Sequence, residues 1–256
     1  MEDATRRRET DAGILNAFQS QARKDVMNIG FPLFANLTQL DLAGPWEVLT
    51  RIPGAKCHLI ADRIEPVASA NGGLAIMTTH TFESAPQLDL LCVPGGPGHL
   101  AAMTDERLLN FVSHQAQSCA YVTSVCTGAM VLAAAGLLRG YCATTHWMSL
   151  DRLAQFGATP VEERVVIDRN RITGGGVTAG IDFGLTVLAE IAGEKLAREC
   201  ALQLEYAPAP PFDGSPRTAD PTLLDASRQK AAGYFARMRE ADERALARLR
   251  SQPKTT

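Results

Sequence analysis

Tyr121-Val122-Thr123-Ser124-Val125-Cys126-Thr127-Gly128-Ala129-Met130 runs from an apolar segment, through one cysteine, into small residues and a second apolar segment. Residues 121–125 read as a buried strand and 127–138 as a helix. A strand that turns sharply into a helix at a nucleophile is the elbow layout, here with sulfur in place of a serine hydroxyl. Thr127 and Gly128 are small enough to let the chain turn. The thiol is expected at a helix N-terminus, where unpaired N–H groups and the dipole favour thiolate. A structural reading, a buried cysteine closing a strand, stands beside the chemical one.

Working outward, the same alternation recurs. Strands are expected at residues 28–34, 57–61, 88–93 and 121–125, with helices at 44–50, 105–118, 127–138, 179–191 and 195–206. Two hairpins are expected, at 66–69 with 74–78 around Asn71-Gly72-Gly73, and at 164–167 with 171–173 around Asp168-Arg169-Asn170. Such alternation implies an α/β fold: a mainly parallel central sheet sandwiched by helices, flavodoxin-like, with hairpins at its edges. Sites in such sheets lie at the carboxyl ends of the strands. Residues 207–221, rich in Pro and Ala, read as an extended connection. Residues 222–250 read as one long helix, packed on its own domain or lying across a dimer partner. The chain thus divides into a flexible leader at 1–26 with one weak helix at 14–22, an α/β domain at 27–206, and a C-terminal extension at 207–256.

Composition narrows the function classes. The chain has 256 residues, a formal net charge of −3, 46% apolar and 21% charged residues. That is long enough to bury one sizeable core and carries no basic field for nucleic acid or an acidic membrane. No apolar run approaches the roughly 18 residues of a membrane span. The six cysteines form no C-x-x-C pair and match no zinc spacing, and the histidines lack metal spacing, so neither metal nor cofactor is expected. Cysteines other than Cys126 read as small buried hydrophobes, which suits a reducing cytoplasm.

Four further segments can carry chemistry. Val93-Pro94-Gly95-Gly96-Pro97-Gly98 follows a buried strand. Backbone N–H groups at Gly95 and Gly96, with the turn at Gly128, are expected to face a reacting atom, as in an oxyanion hole. Asp41, between Leu40 and Leu42, reads either as the cap of a helix starting near Gly44 or as a partly buried acid beside the thiol, with a pKa raised by burial. His146 in Thr144-Thr145-His146-Trp147 is a base or a core histidine satisfied by a carbonyl. Asp182, in Thr173-Gly174-Gly175-Gly176-Val177-Thr178-Ala179-Gly180-Ile181-Asp182, is expected in a first helical turn.

Taken together with Leu202-Gln203-Leu204-Glu205-Tyr206-Ala207-Pro208-Ala209-Pro210-Pro211-Phe212, these segments resemble the ThiJ/PfpI superfamily, within the class I glutamine amidotransferase-like fold, and its isonitrile hydratases in particular. The resemblance spans roughly residues 28–250. It implies hydration of an isonitrile to an N-substituted formamide through a cysteine thioimidate. Cys126 would match the nucleophile, Asp41 the acid and Thr127 the threonine that follows the cysteine. It also implies a homodimer. Many superfamily members have histidine where Thr127 stands, which counts against protease chemistry. Two alternatives remain: another cysteine-dependent enzyme (glyoxalase, deglycase or amidase), or a stand-alone small-molecule or redox sensor. The known sensor domains of this superfamily precede a DNA-reading module, and none is expected after residue 250.

Overall fold

The computed structural model describes residues 26–70 and 72–251. The expected leader helix at 14–22 and Asn71 of the first hairpin lie outside the described residues. The chain lays down β1 (Met27–Pro32), α1 (Gln39–Leu49), β2 (Ala55–Ala61), β3 (Pro66–Ala68), β4 (Ala75–Met77), β5 (His80–Thr81), β6 (Leu90–Val93), α2 (His99–Ala102), α3 (Glu106–Ala116), β7 (Tyr121–Val125) and α4 (Gly128–Ala134). Then come β8 (Cys142–Ala143), a 3₁₀ helix (Trp147–Phe156), β9 (Thr159–Pro160), β10 (Val165–Asp168), β11 (Arg171–Gly174), α5 (Ala179–Ala192), α6 (Glu194–Gln203), α7 (Pro221–Lys230) and α8 (Ala232–Ser251).

One sheet has the order β10-β11-β7-β6-β1-β2-β5. All its pairings are parallel except β10 with β11. The apolar runs of β6 and β7 are buried along their whole length, as strands covered on both faces must be. Helices α1 and α5 pack on each other, and α2, α4 and α8 cluster with the 3₁₀ helix. Strand order reverses at β1, which pairs with β2 on one side and β6 on the other. Open α/β sheets form crevices at such a reversal, and the segments following β1, β6 and β7 meet there.

Four expectations need correction. The helix expected at 44–50 begins at Gln39, so Pro45 is interior and not at the first turn. Its loss of one N–H is tolerated in a helix packed tightly against α5. The helix expected at 127–138 ends at Ala134, where Gly136 adopts φ 78° and turns the chain out of the helix. The helix expected at 222–250 is interrupted at Ala231, whose N–H bonds back to Arg228 O and Ser227 O. Gly233, a poor helix former, follows the break. Finally, β3 and β4 form a separate two-stranded sheet, and only the β10–β11 hairpin joins the main sheet at an edge.

Of the two places open to the C-terminal helix, α8 packs on its own domain. It buries Met238, Ala241, Asp242 and Ala245, against α2 and α4. That explains α4, all of whose residues are buried. α7 buries none of its residues.

Candidate active site

β7 delivers Cys126 to the crevice. The residue sits at φ 55°, a left-handed conformation that costs a non-glycine residue on the order of 1 kcal/mol. Hydrogen bonds on both sides hold it there. Its N–H donates to Gly174 O (3.0 Å) and Gly175 O (2.9 Å), and its carbonyl accepts from Thr145 Oγ1 at 2.7 Å. The twist aims the sulfur at Asp41 and at the backbone N–H groups of Thr127 and Val177.

The expectation that this helix start favours thiolate is overturned. Burial pushes the Cys126 thiol well above the ordinary range, and the Asp41 carboxylate adds to the rise, while the Val177 and Thr127 N–H groups only oppose it. With 3% of the residue exposed, desolvation outweighs the two N–H groups. The resting sulfur is a thiol whose proton faces a carboxylate.

Asp41 does not cap a helix at Gly44. Thr38 occupies the N-cap of α1, and Asp41 lies inside the first turn. Its side chain is fully buried. Oδ2 accepts from Gly95 N–H at 3.1 Å, and Oδ1 has no well-aligned partner among the described residues. Burial raises the carboxyl to about 7, against the opposing pull of the Cys126 thiol and the Gly95 N–H. An acid so poised can both give and take a proton at neutral pH.

Gly95 and Gly96 have a different role from the one expected. Gly96 N–H donates to Thr127 Oγ1 at 2.8 Å, and the same hydroxyl donates to Gly96 O at 3.1 Å. With Gly95 on Asp41, both N–H groups are spent on neighbouring side chains of the site. They orient those side chains and do not point to an open oxyanion position. The reason is steric: the turn folds back onto α1 and onto the start of α4. A Cβ on Gly128 would stand 2.1 Å from Val93 O, so Gly128 lets α4 press against the end of β6. A Cβ on Gly95 would stand 2.5 Å from Thr127 N and 2.8 Å from Asp41 Oδ2. Gly95→Ala is therefore expected to cost about 2 kcal/mol or more of stability and most of any turnover. Denaturant melts and rate measurements check this, and an Ala variant matching the parent in both would show that the close approach is unimportant.

His146 is half-buried. It is the N-cap of the 3₁₀ helix, with Nδ1 accepting from Met148 N–H at 3.4 Å, and burial lowers its pKa. Asp182 does lie in the first turn of α5, paired with Arg164 at 2.5 Å. Sequence reading missed Thr145, Val177 and a buried group of His99, Arg152 and Asp242. They stand far from Cys126 in the chain, and only tertiary packing brings them near. Among the described residues no group of three His, Cys, Asp or Glu can hold a metal ion, and no helix is long and apolar enough to cross a membrane.

A model of the DJ-1/PfpI family matches residues 27–190. The chain is 51% identical over 224 residues to an isonitrile hydratase of Pseudomonas putida, covering 87% of this chain and 98% of the relative. It is 32% identical over 183 residues to the HTH-type transcriptional regulator GbdR of Pseudomonas aeruginosa, covering 68% of this chain and 49% of the regulator. The crystal structure of a THiJ/PfpI family protein from Pseudomonas syringae superposes with a TM-score of 0.81 at 43% identity, covering 86% of this chain and 90% of that one. Oxidized DJ-1 of Toxoplasma gondii shares the fold, with a TM-score of 0.64 at 22% identity over 72% of this chain and all of that one. With its family match running from β1 into α5, the chain belongs to the DJ-1/PfpI family.

Proposed function

We propose that this protein is an isonitrile hydratase, a hydro-lyase that adds water to R–N≡C to give R–NH–CHO. The observation that carries the reading is the buried Asp41 carboxyl, raised to about 7, against the Cys126 thiol. The near-complete overlap with the hydratase of Pseudomonas putida supports it.

In this reading Cys126 is the nucleophile, Asp41 the acid and base, and Thr127 the residue that orients the turn. Asp41 takes the thiol proton as sulfur attacks the terminal carbon. It returns that proton to the same carbon, giving the thioimidate R–N=CH–S. Asp41 then takes a proton from water as the hydroxyl adds to carbon, and passes it to nitrogen. The tetrahedral adduct R–NH–CH(OH)–S collapses, the hydroxyl proton returns to sulfur through Asp41, and the formamide leaves. One proton shared by two groups serves both halves. No electron changes hands, so the scheme uses no redox cofactor.

Turnover is read by incubating the protein with a simple alkyl isonitrile and following the formamide proton by NMR. Formamide at many equivalents per protein is expected. Consumption of one equivalent without product release would leave the thiol as a trap and end the hydratase reading. The resemblance to part of GbdR favours, as the second reading, a sensor that binds a small molecule without turning it over.

Around this site we propose an α/β domain at 27–206 and, from residue 207, a C-terminal extension. The partners are a small-molecule substrate and a second copy of the chain, in a reducing cytoplasm. Exposed Leu202, Phe212 and Leu223 are apolar surface available to a second copy. Sedimentation at micromolar concentration is expected to give a dimer, and a monomer there would exclude it.

A further inference from the structure

A chain of buried hydrogen bonds joins the C-terminal helix to the Gly95–Gly96 turn. Asp242 on α8 accepts from Arg152 Nε (2.8 Å) and Nη2 (2.7 Å). Arg152 Nη1 also donates to Ser149 Oγ (3.1 Å) and meets His99 Nε2 (3.2 Å). His99 and Ser149 are fully buried, Asp242 is 2% exposed and Arg152 8%. A guanidinium only donates, so Nε2 must be the acceptor and the neutral imidazole carries its proton on Nδ1. That N–H reaches Gly96 O at 2.8 Å, with Tyr234 Oη a more distant neighbour at 3.4 Å. Burial and the Arg152 charge push His99 down to about 3, so the ring stays neutral near neutral pH.

Gly96 O also accepts from Thr127 Oγ1 at 3.1 Å, and Gly96 N–H returns a bond to it at 2.8 Å. The next amide, that of Gly95, holds Asp41. A buried ion pair contributes little net stability over an apolar pair of similar volume, so stability gives no strong reason to have one here. Orientation gives one: Arg152 sets the tautomer, and the tautomer sets the turn.

We propose that His99, held in one tautomer by Arg152 and Asp242, is a positioning residue. Through Gly96 it aligns Asp41 and Thr127 with the Cys126 sulfur, so α8 completes the site from within the same chain. The proposal rests on the hydratase reading for its turnover readout alone. A second readout, the pH dependence of Cys126 alkylation by iodoacetamide with mass mapping, does not depend on that reading.

His99→Leu removes the imidazole donor to Gly96 O and keeps the backbone one, since the residue-99 N–H itself donates to Gly96 O at 3.0 Å. We expect kcat to fall about 10-fold or more at nearly constant KM, as small misplacements of catalytic groups do. The alkylation inflection should move to higher pH, because a loosened Gly95 N–H no longer lowers Asp41. His99→Asn restores an N–H near the Nδ1 position and should recover kcat to within about fivefold. Tyr234→Phe leaves the Gly96 bond intact and should stay within about threefold of the parent. If His99→Leu does not fold, Asp242→Asn carries the same two readouts, because it breaks the ion pair with little change of shape. A folded His99→Leu or Asp242→Asn with unchanged kcat and unchanged inflection overturns the proposal. So does failure of His99→Asn to recover while Tyr234→Phe is equally impaired. Should the parent protein not turn over isonitriles, the hydratase reading falls, and the alkylation inflection alone decides the positioning role.

Discussion

Cys126→Ala is expected to lose about 10³-fold or more of turnover, the scale on which nucleophile deletions fall. Its melting temperature should drop only a few degrees. Alanine removes one buried sulfur, leaving a small cavity that costs about 1 kcal/mol, and it adopts φ 55° no worse than cysteine does. Cys126→Ser should fail nearly as badly. Its hydroxyl holds a proton far more tightly than a thiol, and Asp41, at about 7, cannot draw it away. The loss should be in kcat, with substrate affinity kept, because only the attacking atom is changed. Formamide release by Cys126→Ala within about tenfold of the parent rate would remove covalent catalysis from the scheme.

Asp41→Asn is expected to cost about 10²-fold or more in rate, the range of general acid–base assistance, and to gain stability at neutral and higher pH. The two effects have one cause. The folded pKa of about 7 lies above the ordinary 3.8, so the folded chain holds this proton more tightly than the unfolded chain. Stability from this group is fully present below about pH 4 and is lost as pH rises through about 7. At full ionisation the loss approaches about 4 kcal/mol, three units at 1.36 kcal/mol each. Asparagine cannot ionise and escapes that loss. Denaturant melts at acid and alkaline pH should therefore show Asp41→Asn gaining on the parent as pH rises. In the parent, kcat/KM should climb through about pH 7, where Asp41 becomes able to take the thiol proton, and then level off. Equal stability of both proteins at all pH values would mean that Asp41 is not held in a desolvated place.

Cys126 was legible because its signal is local. A buried run of five residues ends at a thiol between small neighbours, and nothing distant is needed to read that. The parallel sheet was legible for the same reason, from strand-length apolar runs separated by helical spacing. Asp41 was legible only as an unusual acid. Its helix starts at a Thr38 cap that makes no side-chain bond, whereas Gly44-Pro45 carries the usual marks of a helix start. The sign of the thiol shift was out of reach, because it depends on burial by α1, α5 and the Gly95 turn rather than on the helix that follows Cys126. The direction of the Gly95 and Gly96 amides was likewise set by contacts that no local pattern encodes. The break at Ala231 escaped notice because apolar spacing continues across it, although only α8 finds a surface to pack on.

The order of strands has a consequence for how the protein acquires its site. β1 lies in the middle of the sheet, yet its neighbour β6 follows some sixty residues later, as Ile29 opposite Leu90 shows. The contacts that assemble the site close loops of 54 residues (Gly95 to Asp41), 31 (Gly96 to Thr127) and 90 (Arg152 to Asp242). Each closure spends chain entropy before any contact rewards it, which places the fold among the slower, high-contact-order topologies. The bonds that hold Cys126 in its turn, to Gly174, Gly175 and Thr145, also reach across the chain. The Arg152–Asp242 contact spans the longest of these loops. A half-folded chain therefore carries the cysteine without the neighbours that hold and surround it.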